Sequence, residues 1–201
     1  YIRQMVQLPG ALPIGEFIGQ ELAHFEEADH LPEGSTREVK EGRIIAEVKR
    51  RWEISLGRIK EIEQEESLSA VEQLGICAYF ASTGIPVGWF EGERALDSFG
   101  VLERFGFCNF EDEAYETVGM HNLVQLVSRR EDEDRRSLGV AFELAEDKWG
   151  YEGEEFNIPE EVRQNAVHVE AIAQHLKEVK IYTEQVVKLL MLLGIFQRVG
   201  V

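Results

Sequence analysis

Glu47 and Lys49 are the residues of this chain whose types and spacing most directly suggest chemistry. They stand two positions apart in the stretch IIAEVKRRWEIS, residues 44–55. On a β-strand alternate side chains point to the same face, so the carboxylate and the ammonium group would lie side by side. The carboxylate would then bind a divalent cation, and the lysine would orient an attacking water or stabilise developing negative charge. The pair is a candidate catalytic site, provided that residues 43–49 form a strand.

The order of elements around this pair resembles the PD-(D/E)xK nuclease superfamily. The segment IIAEVK is followed by a predicted helix and then by GIPVGWF. The resemblance covers residues 43–91, and it implies an α+β core, Mg²⁺ as the cofactor and nucleic acid as the substrate or ligand. The family also places an aspartate on a preceding strand. Here the only upstream aspartate is Asp29, which lies in FEEADHLPEG, a stretch that is not typical of a strand. Glu33 or Glu38 would have to substitute for it.

A second group of residues has the types that bind metal ions. Glu21 and His24 have the Glu-x-x-His spacing found in carboxylate-bridged di-iron bundles. His168 and His175 are seven positions apart, which places them on one side of a predicted helix. These four residues are the alternative metal-binding set. We nevertheless predict no metal or other cofactor, because such a bundle needs further glutamates and a second Glu-x-x-His pair on long facing helices.

The secondary structure of the opening stretch decides whether Glu47 and Lys49 can act together. Within residues 44–56 the apolar residues alternate well enough for a strand. Over a longer window a helix accounts for more of them, because at about 100° per residue most fall within an arc of about 120°. The residues of this arc are Ile44, Ile45, Val48, Trp52, Leu56, Ile59 and Ile62. Only Ile54 lies outside it. We therefore predict a helix over residues 36–64.

The rest of the chain is also mainly helical by pattern. Five shorter helices are predicted over residues 14–28, 69–83, 93–105, 113–130 and 135–149. At the start of the second, Ser69 and Glu72 have the spacing of a capping box, in which each side chain accepts a bond from the other's backbone N–H. The segment IPVGWF, residues 85–90, is the best candidate for a short strand.

The last helix is predicted to be the longest, from about residue 160 to 197. Pro159 precedes it, at a position where a missing N–H costs nothing. From Val186 to Phe196 the helix becomes apolar on every side, and such a helix is buried in a core or against another chain. The predicted fold is mainly α and bundle-like, with two long helices, a helical core domain over residues 1–155 and a docking or oligomerisation arm over 156–201. The predicted partner contacts on this arm are Leu189, Leu190, Leu193 and Phe196.

Composition and charge restrict the class of protein. The chain has 201 residues, 44% of them apolar and 29% charged, which suits one folded domain with a real core. Its net charge of −17 argues against binding of nucleic acid or an anionic membrane over the whole protein surface.

Two cysteines, Cys77 and Cys108, are too few for a disulfide framework, and their apolar neighbours predict buried thiols. The longest apolar run is too short to span a bilayer, and we expect an intracellular, cytoplasmic protein.

One segment departs from the acidic average. Residues 37–60 carry eight basic and four acidic side chains, which gives them a net charge of +4. Pairing with acidic helices of the same chain is the simplest explanation. A limited contact with nucleic-acid phosphates and a contact with an acidic protein are the alternatives. Arg50 and Arg51 are the candidate partner-binding residues of this segment.

These patterns favour a non-enzymatic protein of interaction or assembly, which acts through protein–protein contacts or self-association of the last helix. The first alternative is a Mg²⁺-dependent or degenerate nuclease-like protein centred on Glu47 and Lys49, with Asp29 as a third residue. The second is a helical metal-carboxylate protein. The sequence contains no phosphate-binding loop, no dinucleotide fingerprint and no Gly-x-Ser-x-Gly nucleophile motif.

Overall fold

A computed structural model describes residues 37–66, 69–90, 92, 94–151 and 158–199. These residues form, in chain order, α1 (Arg37–Glu66), α2 (Ala70–Cys77), β1 (Ile85–Pro86), a 3₁₀ turn (Val87–Trp89), α3 (Ala95–Arg104), β2 (Asn109–Phe110), β3 (Thr117–Gly119), α4 (Asn122–Glu131), α5 (Arg136–Lys148), α6 (Glu160–Glu178) and α7 (Glu184–Val199). The protein is therefore mostly helical, as predicted. The helix predicted over residues 14–28 lies outside the described residues.

The stretch that contains Glu47 and Lys49 lies in α1, so the helix prediction for residues 36–64 is confirmed and the strand interpretation is wrong. The reason lies in the second half of α1, where apolar residues at helical spacing face the core. The buried and half-buried residues of this stripe are Trp52, Leu56, Ile59 and Ile62. Ile54, the apolar residue outside the predicted arc, is 60% exposed. A strand would have put Ile54 on the same face as Trp52, and the burial of the stripe therefore selects the helix.

The start of α2 is capped by a side chain of α1 and not by its own Ser69. The backbone N–H of Val71 donates to the Glu63 carboxylate at 2.6 Å, whereas Ser69 makes no side-chain capping bond. Glu63 satisfies one of the donors that a helix start leaves unpaired, and its charge lies at the positive end of the helix dipole. The predicted capping box of Ser69 and Glu72 is wrong because a carboxylate from the preceding helix takes its place.

A small antiparallel sheet with strand order β1-β3-β2 connects the helices. Val118 of the central strand is paired with Ile85 on one side and with Phe110 on the other. The strand predicted over residues 85–90 is confirmed only for Ile85–Pro86, because the chain then enters the 3₁₀ turn. Pro86 lies on an edge strand, where the absence of an N–H costs no ladder bond.

The helix predicted over residues 113–130 starts only at Asn122, and β3 occupies part of the predicted span. Asp112 explains the difference. Its carboxylate accepts bonds from the N–H groups of Glu116 and Thr117 and from the Thr117 hydroxyl, at 2.6 to 2.9 Å. These bonds, led by the one from the Thr117 hydroxyl, hold the pKa of Asp112 below its usual value. An aspartate that binds the backbone in this way closes a turn instead of starting a helix.

The helix predicted over residues 160–197 is two helices, α6 and α7, so the prediction of one continuous helix is wrong. The break lies at Lys180, whose φ of 58° is left-handed. The N–H of Lys180 donates to the Lys177 carbonyl at 3.2 Å, and the N–H of Ile181 donates to the Leu176 carbonyl at 3.1 Å. This pair of bonds is a Schellman motif, which ends a helix.

A second helix then begins at Glu184. The hydroxyl oxygen of Thr183 accepts a bond from the N–H of Val186 at 3.3 Å, so Thr183 caps α7. Because the chain has turned back, the apolar side chains of Val186, Leu189 and Leu193 are buried in the protein's own core. One continuous helix would have left this apolar surface without the cover of the core.

The buried apolar side chains form one cluster, to which α6 and α7 contribute together with the earlier elements. Its largest fully buried members are Tyr79, Phe99, Phe107, Ile59, Leu74, Ile85, Leu102, Met120, Leu138 and Ile172. The predicted domain boundary falls in residues 152–157, outside the described residues, and the division into two domains stays a prediction. Within the described ranges no helix has the length and hydropathy that a membrane span requires.

Both cysteines are buried and free, as the sequence predicts. Burial raises the pKa of Cys77 well above its usual value and that of Cys108 to about 12. A thiol with a raised pKa is protonated at neutral pH and is a poor nucleophile. The two residues therefore act as small apolar side chains of the core.

Candidate functional site

The helical conformation of α1 separates the two residues on which the nuclease hypothesis depends. On a helix, Glu47 and Lys49 lie about 200° apart around the axis, so they cannot bind one cation and one water together. Asp29 and the side chain of Arg51 lie outside the described part of the chain, and Arg50 is exposed. The alternative of a Mg²⁺-dependent pair at Glu47 and Lys49 therefore lacks the strand on which it depends.

His168 of α6 is a buried structural residue. Its Nε2 lies 2.8 Å from the carbonyl oxygen of Gly84, and its ring packs edge-on against the rings of Phe80 and Trp89. A carbonyl only accepts, so Nε2 must carry the hydrogen and donate it. Burial lowers the pKa of His168 despite the opposing effect of this bond. The N–H of Gly84 donates in turn to Glu111 at 2.6 Å, and the neutral imidazole thus ties α6 to the loop before β1.

We expect His168 to stay a neutral imidazole with hydrogen on Nε2 at pH values where the unfolded chain is already protonated. The pKa of His168 is depressed in the folded state, so as the pH falls the unfolded chain binds a proton at this residue before the folded chain does. The contribution of His168 to the free energy of unfolding therefore falls as the pH drops through about 6.5. Two-bond ¹H–¹⁵N NMR spectra of the ring across pH 5 to 8 measure both the tautomer and the titration. The same protein in urea is the control, with a midpoint near the ordinary value. A folded-state midpoint at or above the control would contradict the assignment.

His175, one helical heptad further along α6, has different surroundings. Its ring meets the Tyr79 ring edge-on at a centroid distance of 5.4 Å, and its Nδ1 lies 3.4 Å from the Glu178 carboxylate. Burial lowers the pKa of His175, and the charge of Arg129 lowers it further. His175 is therefore an uncharged, half-buried group that borders solvent.

The alternative metal-binding set is not brought together by the described part of the fold. The His168 ring is hydrogen-bonded to the Gly84 carbonyl, whereas the His175 ring packs on Tyr79, so the two imidazoles have different partners. Glu21 and His24 lie outside the described residues. In the described ranges, no group of three or more histidine, cysteine, aspartate or glutamate side chains is arranged to hold a metal ion.

The end of α2 is held by polar side chains of α4. Buried Gln125 donates from Nε2 to the carbonyls of Cys77 and Phe80, at 3.1 and 3.0 Å. Arg129 donates to the carbonyl of Ala78. A helix end leaves its last carbonyls unpaired, and burying them without partners is costly. The side chains of α4 therefore allow α2 to end inside the protein.

An open cleft of about 730 Å³ lies beside this junction, between α2, α4, α5 and α6. The Tyr79 hydroxyl donates to Asp132 at 2.8 Å, and burial together with this bond raises the pKa of Tyr79 to about 12. Arg129, Arg130 and Arg135 line the same cleft. Sequence reasoning missed this site. Its signal was the charged run RREDEDRR, which in the sequence only separates two helices, and nothing local shows that the run folds back towards Tyr79.

The four apolar residues predicted to contact a partner face the protein's own core. Leu189 and Leu193 are only 3% and 5% exposed, and Leu190 and Phe196 are half-buried against the same cluster. The Phe196 ring packs on the Trp149 ring at a centroid distance of 5.6 Å. These side chains fix α7 to the rest of the protein, so the surface that a partner could reach lies on the other side of the helix.

That opposite side carries a row of exposed apolar side chains. Val187, Met191 and Ile195 are 43%, 65% and 39% exposed. They are four positions apart, so on a helix they lie within about 40° of Met191, while Glu184 and Arg198 lie within about 20° of the same line. We call these five residues the outer stripe. The sequence could not separate the two sides, because from Val186 to Phe196 the helix is apolar all round.

No protein-family model, curated protein or solved structure matches the chain. Two features stand out in the described part of the molecule: the outer stripe of α7 and the cleft beside Tyr79. The first is apolar and ends in opposite charges, whereas the second is polar and rich in arginine.

Proposed function

We propose that the protein is a non-enzymatic assembly protein that forms a homodimer through the outer stripe of α7. The observation that carries this proposal is the row of exposed apolar side chains on a helix whose other face is already buried. Single exposed apolar residues are normal on protein surfaces, but a contiguous row along one helix is typical of an interaction surface. The last helix is thus still the assembly element, but it associates through the face opposite Leu189 and Leu193.

The charges at the ends of the stripe favour a second copy as the partner. Glu184 and Arg198 are both exposed and lie seven residues before and after Met191, about 10 Å along the axis on either side. In an antiparallel pair related by a two-fold axis at Met191, each Glu184 therefore faces Arg198 of the second copy, and Val187 faces Ile195. A parallel pair would bring like charges together. Charge complementarity thus supports a second copy as the partner and an antiparallel orientation.

Met191→Glu is expected to abolish this dimer. The two-fold axis places Met191 against its own copy, so the variant puts two carboxylates opposite each other, and like charges at an interface cost several kcal/mol. We expect the dissociation constant to rise by more than about 100-fold. Sedimentation velocity at protein concentrations from about 1 to 200 µM measures it, with the wild-type chain changing from monomer to dimer and the variant staying monomeric.

Ile54→Glu is the matched control. Ile54 is exposed to a similar extent, 60% against 65%, but it lies on α1. This variant should dimerise as the wild-type chain does. In the same assay, Glu184→Arg combined with Arg198→Glu should restore the association that each single change weakens. A wild-type chain that stays monomeric throughout, or equal effects of Met191→Glu and Ile54→Glu, would refute the proposal. If another segment of the same chain covered the outer stripe, the wild-type chain would also stay monomeric, and the proposal would be refuted.

A further inference from the structure

The arginines of the cleft beside Tyr79 are not paired with its carboxylates. The Asp132 carboxylate accepts bonds from the Tyr79 hydroxyl at 2.8 Å and from the Ser137 N–H at 3.3 Å. The Glu178 carboxylate accepts a bond from Gln174 at 3.1 Å. Among the described residues, no carboxylate lies within ion-pair distance of an arginine that lines the cleft. Several guanidinium donors are therefore left for a ligand.

Arg129 shows that this charge is incompletely compensated. Its guanidinium is half-buried, and its hydrogen bond goes to a neutral group, the Ala78 carbonyl. Burial lowers the pKa of Arg129 and outweighs the opposing effects of Tyr79 and Glu178. The Glu178 carboxylate is not within ion-pair distance of Arg129, so it compensates the half-buried guanidinium only in part, and an anion in the cleft would supply a closer counter-charge.

The backbone of Arg135 has an unusual conformation. Its φ is 60°, a left-handed conformation that residues other than glycine adopt rarely. It donates from its guanidinium to the Arg129 carbonyl at 3.3 Å, which joins the two arginines of the cleft. Such backbone conformations concentrate at ligand-binding sites, where the surrounding structure maintains them. The fold therefore holds Arg129 and Arg135 together beside Tyr79.

We infer that this cleft binds the phosphate group of a small phosphomonoester. Three guanidinium groups line it, and a phosphate offers three terminal oxygens to their paired donors, whereas a carboxylate offers two. The cleft is larger than a phosphate ion, and apolar side chains of Leu126 and Val179 border it, which suits an organic substituent. This inference concerns a different surface from the outer stripe of α7 and does not depend on the dimer.

The acidic residues of the cleft limit the strength of this interaction. Asp132, Glu133 and Glu178 line it together with the arginines, so its total charge is close to neutral. Two of these carboxylates are held by the hydrogen bonds described above. We therefore expect selective but weak binding, with a dissociation constant on the order of 1 mM or below for a simple phosphomonoester.

Phenyl phosphate is a suitable probe, and titration followed by amide NMR shifts measures its binding to the full chain. We expect saturable shifts that centre on Tyr79 and residues 129–135, with inorganic phosphate weaker than phenyl phosphate and benzoate without comparable effect. Arg130→Gln should raise the dissociation constant of phenyl phosphate at least about tenfold, because one charge-assisted fork is lost. Arg130 is exposed, so its replacement should leave the fold intact.

Arg136→Gln is the matched control for this titration. Arg136 is an exposed arginine of the same charged run, but it does not line the cleft. The Arg136→Gln variant loses the same charge from the same region but keeps every arginine of the cleft. Its dissociation constant for phenyl phosphate should therefore stay within about twofold of wild type. Equal weakening by Arg130→Gln and Arg136→Gln would show attraction to general surface charge and overturn the inference. Absence of saturation up to about 20 mM phenyl phosphate, or equal affinity for benzoate, would overturn it as well.

Discussion

Leu189→Ala is expected to lower the free energy of unfolding by about 2–5 kcal/mol, the usual cost of removing a buried leucine side chain. Leu189 is 3% exposed and belongs to the core cluster, so its truncation removes apolar contacts and leaves a cavity. Urea denaturation followed by circular dichroism measures the change. In thermal unfolding each kcal/mol corresponds to roughly 2–4 °C for a chain of this size.

Val187→Ala is the control for this experiment, because Val187 lies two positions earlier on the same helix and is 43% exposed. Its effect should stay within about 0.5 kcal/mol, as for other surface substitutions. Both changes are best made in a chain that already carries Met191→Glu, so that self-association does not add to the measured stability. If Val187→Ala were the more destabilising of the two, the inward and outward faces of α7 would have to be exchanged.

Gln125→Met is the second substitution with a large expected effect, a loss of about 1–3 kcal/mol in the free energy of unfolding. The variant keeps the size of the side chain but removes the donor of two buried bonds, to the carbonyls of Cys77 and Phe80. The Cys77 carbonyl keeps a bond from the Phe80 N–H at 3.3 Å, but the Phe80 carbonyl is left without its partner, which costs about 1–3 kcal/mol. Urea denaturation measures the loss, and the amide protons near the end of α2 should exchange faster with solvent.

Gln164→Met provides the comparison, because Gln164 is an exposed helical residue whose amide bonds only to Glu160 on the same helix. We expect a change within about 0.5 kcal/mol, since methionine and glutamine have similar helix propensities. A loss for Gln125→Met no greater than that for Gln164→Met would mean that α4 does not hold the end of α2 through this side chain.

The dimer and the phosphate site place two separate surfaces on one small protein. The outer stripe lies on α7, the last helix, whereas the cleft lies between α2, α4, α5 and α6. The tests are independent for that reason: Met191→Glu should leave the binding of phenyl phosphate unchanged, and Arg130→Gln should leave the dimer unchanged. Neither proposal invokes Glu47, Lys49 or a metal ion.

The conformation of residues 44–64 could be predicted because the deciding information is local. The strand alternation fails at Ile59, whereas the helical period continues through Leu56, Ile59 and Ile62, whatever the core against which the segment packs. The buried state of Cys77 and Cys108 could be predicted for a similar reason, since their immediate neighbours are apolar. Periodicity and composition were sufficient in these cases.

The turn at Asp112 and the break at Lys180 were harder to predict. Asp112 stands in a run of acidic residues that also suits the start of a helix, and only its bonds to Thr117 select the turn. Lys180 carries none of the usual signals for a helix end, because glycine is the common residue at a left-handed position. Thr183 is a capping residue, yet a single threonine in a long apolar pattern is a weak signal.

The sequence by itself determined that the protein is mainly helical, that residues 44–62 follow a helical period over their whole length and that the last segment is apolar on every side from Val186 to Phe196. Only the tertiary structure decided which side of α7 is buried and which arginines meet beside Tyr79. The physical reason is the range of the interactions. Helical periodicity is set by neighbours within a few positions, whereas the burial of Leu189 and the approach of Arg129 to Ala78 depend on segments far apart in the chain.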